Sequence, residues 1–534
     1  MVRSGAGRWF GPERVHLASL AVAAVCLVWP ARHMTLAYDD WSFFVPLERG
    51  DRSASWFLAP HNEHLVLLPK LVYAALESVF GFGSVAPFLA VTLVLHLVLC
   101  HLLRRVMTGA GADPWLATAA AAGFALYAAG VENILWAFQM ALVGSLVLGM
   151  LMLSELARTR PRPALVAVLG LASVATSGLG IVVLALGALV CGPRRLMGAG
   201  LALLPGILGF GLWFLTVGRS PTSDLSPTSP AVLPLYVAVG LGNGIASLVP
   251  FRSAEQVVWQ PLNPVSGFAA VIAVLLSLLA LGVAGRVGAL RASGMAGVLA
   301  LGAPVFWLLT SLSRSSFGLA GAMASRYTYV TTAFLLPLVV VLVSRLVSRG
   351  PRGRQVARGV ATVLALANAL SWGWVAPAWV DKAAFSTRVV AAGQDLVRAG
   401  QPTYDTAFGT AELTDFSRAD LEELTVPVDR GSLQEADRAT AALRLQVRLV
   451  PVTPTGPAAC QASARQVEVP LQPAGGYVVL GERGAREQLV AGGLRSPGRA
   501  TVIEGGAYAV EGLVAGTVVF TSVDGTASLR SCRR

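Results

Sequence analysis

The chain has 534 residues, of which 55% are hydrophobic and only 13% charged, with a mean hydropathy of +0.65. A soluble protein carries about 25% charge, so a purely soluble protein is excluded, and lipid is the only medium that can bury this much apolar surface. The net charge of +12 resides before Asp381, where 25 basic residues face 12 acidic ones, against 16 and 17 from there on; arginines in short loops between apolar runs act as orientation signals, which argues against a nucleic-acid partner.

A spanning helix needs about 20 mostly apolar residues. The first such run, 15–32, follows Arg3, Arg8 and Arg14, so the N-terminus is expected in the cytoplasm. Trp29-Pro30-Ala31-Arg32 is a poor cleavage site, and the run reads as a retained first span rather than a signal peptide. Spans follow at 84–103, 114–130 and 140–156, bounded by Arg104-Arg105 and by Arg158, Arg160 and Arg162, which leaves 33–83 and 131–139 outside. The run Ala164–Cys191 has arginines beyond both ends and is too long for one simple span. It reads as two short helices turning at Thr176-Ser177-Gly178-Leu179-Gly180, an arrangement tolerated at membrane depth where the turn faces protein or a wet cavity. Further spans are expected at 197–215, 265–285, 295–312, 329–344 and 360–377, with 232–250 returning to the side it left. Arg345, Arg349, Arg352, Arg354 and Arg358 fix 344–358 in the cytoplasm, placing 313–328 and everything after Val380 outside.

The tail changes character. Residues 381–425 alternate charged and apolar residues in a helical way, whereas Leu443–Val452, Tyr477–Leu480 and Thr517–Val523 are short runs rich in Val, Leu and Thr, punctuated by Gly and Pro. The expected architecture is a polytopic α-helical membrane domain over 1–380, with about ten to thirteen membrane helices, and a soluble extracytoplasmic domain, α/β or β-rich, over 381–534. Cys460 and Cys532 are the cysteines of the tail. They are the one plausible disulfide pair in an oxidising compartment, two unpaired thiols being the alternative.

Acidic residues are rare in the membrane half, and charges near a bilayer point first to function. Asp39 and Asp40 stand just past the first span. A carboxylate beside a dry wall has a raised pKa and becomes a competent general base; a plain helix cap is the alternative. The same loop holds His61, Asn62, Glu63 and His64, whose spacing matches no zinc motif and reads as a hydrogen-bonding network rather than a metal site. In 130–139, Glu132, Trp136 and Gln139 share a face if the segment is helical, an aromatic platform with hydrogen-bonding groups suited to a sugar, with Asn133 beside it. Tryptophan is also common at any membrane interface. Arg326 and Tyr327 sit at the outer mouth of a late span, with Arg314 upstream. Arg326 is suited to bidentate bonding of a phosphate, or else to snorkelling at the interface.

Asp39-Asp40 in a long first external loop, Asn62-Glu63-His64 later in it, the Thr176–Gly180 turn and Ser325-Arg326-Tyr327 before a late span together resemble the GT-C superfamily of membrane glycosyltransferases, over about residues 10–377. That superfamily includes protein O-mannosyltransferases and actinobacterial arabinofuranosyltransferases. The resemblance implies transfer of a sugar from a polyprenyl-phosphate donor to a cell-envelope glycan, lipid or protein. Asp39 or Asp40 would be the base, Arg326 would steady the departing phosphate, and His61, Glu63 and His64 would position donor or acceptor. Some relatives use a divalent cation, Mg or Mn, at the acidic loop and others do not, so the cofactor stays open. A second acidic motif in a later external loop is not evident, with Asp224 and Glu255 as candidates. A transporter or flippase of lipid-linked saccharides, and a non-enzymatic membrane protein that recruits cell-wall machinery, are the alternatives.

Overall fold

The computed structural model describes residues 11–195, 200–219, 232–250, 252–259, 293–315, 319, 321–348, 350–404, 416–424, 426–451, shorter pieces between 463 and 533, and residues 269, 272–277, 279, 281, 282 and 285. The chain forms two compact units, one of residues 1–34, 52–81 and 85–380, the other of 35–51, 82–84 and 381–534.

In the first unit, seven helices among the described residues are long and apolar enough to cross a membrane: Pro12–Ala31, Ala86–Gly109, Ala137–Leu156, Gly200–Gly218, Gly294–Arg314, Ser325–Leu346 and Pro351–Arg398, the last passing into the second unit. Pro114–Ala125 and Ala128–Leu135, bent by 48°, make an eighth if counted as one broken span. This is a multi-pass helical membrane protein. The described residues give fewer spans than expected because the pair Pro163–Thr176 and Leu179–Cys191 and the helix Val232–Ala246 are short, and most of 265–285 lies outside the described residues.

Local chemistry sets the helix boundaries. Pro12, Pro114 and Pro163 stand in first turns, where an N–H would go unused. Asp113 caps its helix by accepting from the Trp115 and Leu116 amides at 3.0 and 3.2 Å, and it also accepts from Arg358 Nε at 3.0 Å. Ala125 ends a helix, and its carbonyl is satisfied by His96 Nε2 at 3.0 Å. Nδ1 of the same ring then accepts from the Tyr329 hydroxyl at 2.7 Å, which fixes its tautomer. Tyr127 bonds Thr332 Oγ1 at 2.8 Å. These buried bonds hold the broken span against the first turns of Ser325–Leu346, which is what positions the site below.

The helix break expected near Thr176–Gly180 falls at Ser177 and Gly178, between Pro163–Thr176 and the helix Leu179–Arg195. A Cβ on Gly170 would lie 3.1 Å from a Leu184 methyl. These two positions are equidistant from residue 177, so the chain folds back on itself there.

In the second unit, the helix Asp39–Glu48 is a surprise from sequence, which assigns 35–51 and 82–84 to the membrane half. Packing explains it. Phe44 meets Phe82 edge-on at 4.6 Å, Trp41 meets Phe416 at 5.7 Å, and Arg49 pairs with Asp420 at 2.7 Å. The helix Glu435–Gln446 follows, then, among the described residues, nine strands in two sheets. One sheet has the order β1 (Val447–Pro451), β7 (Gly506–Gly512), β3 (Gly476–Leu480), β9 (Arg530–Arg533). The other runs β2 (Gln466–Leu471), β8 (Gly516–Ser522), β4 (Ala485–Ala491), β5 (Leu494–Arg495), with β6 (Val502–Ile503) on β4. Val467, Val469 and Leu471 alternate into a core with Val518 and Phe520, the period of two that a one-faced strand demands. The expected strand from Leu443 begins instead at Val447, because Leu443–Gln446 complete a helix started by a capping box of Gln434 and Asp437. Cys532 lies in β9; Cys460, its expected partner, and Asp224 lie outside the described residues.

Candidate functional site

The polar groups singled out in the first loop build a tight turn. His61 and His64 exchange both backbone hydrogen bonds, at 3.0 and 2.9 Å. Asn62 and Glu63 between them adopt positive φ, 48° and 62°, the conformation a two-residue hairpin of this twist requires. Asn accepts it readily, whereas for Glu63 it costs on the order of 1 kcal/mol. The compensation comes from Arg314, the last residue of Gly294–Arg314, which donates to Glu63 Oε2 at 2.9 Å and to the Asn62 carbonyl at 3.1 Å. Both side chains of the pair are mostly buried, 15% and 19% exposed.

His64 meets the fold-back. A Cβ on Gly178 would lie 2.5 Å from His64 Nδ1, so only glycine lets the break approach the imidazole. Burial, with the charges of Arg314 and His61, lowers the His64 pKa to about 4, and the ring is neutral at pH 7. His61 packs edge-on against Phe138 at 5.0 Å.

A second carboxylate–arginine pair stands at the start of Ser325–Leu346. Glu132 Oε2 accepts from the Arg326 backbone amide at 3.0 Å and lies 3.5 Å from Arg326 Nη1, and Ser325 Oγ donates to the Ala129 carbonyl at 2.9 Å. Glu132 thus places negative charge on the positive end of a helix while holding the arginine. Arg326 sits 5.0 Å from the Tyr327 ring, and Tyr327 packs against Phe306 and Trp307.

The proposed sugar platform is corrected by these contacts. Trp136 is extended, with φ −118° and ψ 121°, so Glu132, Trp136 and Gln139 share no continuous helical face. All three are buried, at 7%, 4% and 1% exposure. Asn133 donates to Gln139 Oε1 at 3.1 Å, and Trp136 packs between Phe138 and Trp379. The segment 131–139 is an inward-folded element of the unit rather than a solvated loop.

Tyr236 escaped the sequence reading. It is fully buried, 5.8 Å from the Trp307 ring, and its hydroxyl has no hydrogen-bond partner among the described residues. The charges of Arg314 and Arg326 reach it. A lone Tyr in an apolar helix carries no signal in sequence; the unspent donor becomes visible through burial.

In the second unit, Tyr38 has φ 49° and precedes the helix Asp39–Glu48. Asp40 is 1% exposed and accepts the Ala37 amide at 3.1 Å, a local capping bond. Asp39 beside it is only partly buried. No group of three His, Cys, Asp or Glu suited to a metal ion occurs among the described residues. Glu255 lies in a short π-helix, Glu255–Trp259.

Compared with protein-family models, curated proteins and solved structures, the chain matches none.

Proposed function

We propose that the protein is a membrane glycosyltransferase that moves a sugar from a polyprenyl-phosphate donor to an extracytoplasmic acceptor. The observation that carries this reading is that the Glu63–Arg314 and Glu132–Arg326 pairs stand at the facing ends of two consecutive helices, Arg314 closing one and Arg326 opening the next, with neutral His64 near the first pair. Residues 315–324 link the two arginine-bearing helices, Gly294–Arg314 and Ser325–Leu346, so both arginines lie at the end opposite the arginine-rich segment 344–358. By the positive-inside rule that end faces outward, and so do the N-terminal acidic motif and the domain after Val380.

Two arginines held by carboxylates, one of them over the Tyr327 ring, are suited to an anion whose charge grows during reaction. As the bond from the sugar's anomeric carbon to the phosphate oxygen breaks, its electrons go to the phosphate, and Arg326 with Arg314 stabilises that charge. The acceptor hydroxyl bonds the anomeric carbon and gives its proton to a carboxylate, the role that the glycosyltransferase resemblance implies for Asp39 or Asp40. Glu132 and Glu63 hold the arginines in place, and neutral His64 offers a hydrogen bond without repelling the cations.

The test is transfer of radiolabelled sugar from membrane lipid by the purified full chain. Asp39→Asn and Arg326→Gln should each lower transfer at least about 100-fold, the scale of losing one transition-state donor, with insertion unchanged. Full activity in Asp39→Asn and Asp40→Asn would remove the base. Movement of lipid-linked saccharide across vesicles without transfer would replace the enzyme with a flippase.

A further inference from the structure

The membrane unit also holds an apolar groove of about 600 Å3 between Pro114–Ala125, Ser325–Leu346 and the first half of Pro351–Arg398. Gly353, Ala357, Ala361 and Ala365 line it at four-residue spacing, facing Ala120 and Gly123. Small residues of this kind ordinarily let helices close together, and at one point they do: a Cβ on Gly123 would lie 3.3 Å from Ala365 Cα. Away from that contact and from the Arg358–Asp113 ion pair, the groove separates the helices.

The space has the shape and polarity of an amphiphile. From Arg352 to Asn368, both lining it, the groove runs about 24 Å along the helix, most of a hydrocarbon core of about 30 Å. Its volume is roughly twenty times the ~30 Å3 share of a water-sized group, the bulk of one acyl chain. Neighbouring Val356 and Val360 are 66% and 53% exposed, so a lipid tail has lateral access. Arg352 is exposed at one mouth, with Arg354 next to it. At the other end Asn368 is 7% exposed, and its Oδ1 has no partner among the described residues, a polar stop to an apolar channel.

We infer that this groove binds an anionic glycerophospholipid, with one acyl chain along the Gly353–Ala365 stripe and the phosphodiester at Arg352. Basic pockets between membrane helices on the cytoplasmic side select such headgroups, and this mouth lies at the end opposite the Arg314–Arg326 cluster. The site is therefore separate from the proposed transfer chemistry and does not depend on it.

Native mass spectrometry of the purified full chain, titrated with phosphatidylglycerol and with phosphatidylcholine of the same acyl chains, tests the inference. Phosphatidylglycerol should bind preferentially. Arg352→Gln should weaken it about five-fold and Arg352→Glu about thirty-fold, as one and two units of charge at a membrane surface imply, with phosphatidylcholine unaffected. Ala361→Trp, which fills the groove, should lose both lipids. Equal binding of the two lipids by the wild type, an unchanged phosphatidylglycerol affinity in Arg352→Glu, or retention of a polyprenyl phosphate in place of phospholipid would overturn it. Should Ala361→Trp fail to fold, the arginine series, at an exposed position, still decides.

Discussion

The break at Ser177–Gly178 offers a sharp perturbation because two glycines there meet different obstacles. A methyl on Gly180 would come within 2.5 Å of the Val174 amide nitrogen and 2.6 Å of the Ser173 carbonyl carbon, both backbone. Backbone in a packed hairpin cannot yield, so Gly180→Ala should cost about 3 kcal/mol or more, beyond ordinary overpacking. A methyl on Gly178 meets only the His64 ring, at 2.5 Å from Nδ1 and 3.1 Å from Cε1. Relief needs roughly a 1 Å shift of the imidazole, so Gly178→Ala should cost about 1–3 kcal/mol. If the clash is the reason, removing the ring removes the penalty. In the cycle of Gly178→Ala, His64→Ala and the double variant, thermal midpoints of detergent-solubilised protein should show a favourable coupling of about 1–2 kcal/mol, and the pairing of Gly180→Ala with His64→Ala should show none. Additive effects for Gly178 and His64 would refute the contact on which this reading of the turn depends.

The His64 imidazole also sets a pH dependence. Its folded pKa, near 4, lies below the ordinary 6.5, so between those values the unfolded chain takes up a proton that the folded one refuses. Stability is therefore full above about pH 6.5 and falls toward pH 4, by at most about 3 kcal/mol and by less in practice because the ring is only partly buried; His64→Gln should flatten this slope in thermal scans at pH 4.5 and 7.5. Tyr236→Phe removes a hydroxyl without a partner among the described residues, so the midpoint should hold or rise. The KM for lipid-linked donor should rise up to about ten-fold, the value of one hydrogen bond; an unchanged KM would make the hydroxyl an idle one. Glu132→Gln removes the charge at the start of Ser325–Leu346 and the partner of Arg326, and should lower stability by about 1 kcal/mol while reducing transfer, read by the same scans and the radiolabel assay.

Membrane character, the positions of most spans and the break near Thr176–Gly180 were all legible in the chain. Each rests on local quantities, since twenty apolar residues favour lipid wherever they stand and an arginine's aversion to crossing does not depend on its neighbours. That His61–His64 gathers polar residues was legible for the same reason, through residue types adjacent in sequence, whereas the tight turn they form was not. Tertiary packing alone decided which charges are partners: Arg314 reaches Glu63 across 251 residues and Arg326 reaches Glu132 across 194. It also turned Glu132 into a helix cap, withdrew Trp136 into the interior, gave the segment 35–51 to the second unit, and left Tyr236 with an unspent donor. Those outcomes depend on which surfaces exclude water together, a property of the folded pair of elements and not of either stretch of sequence.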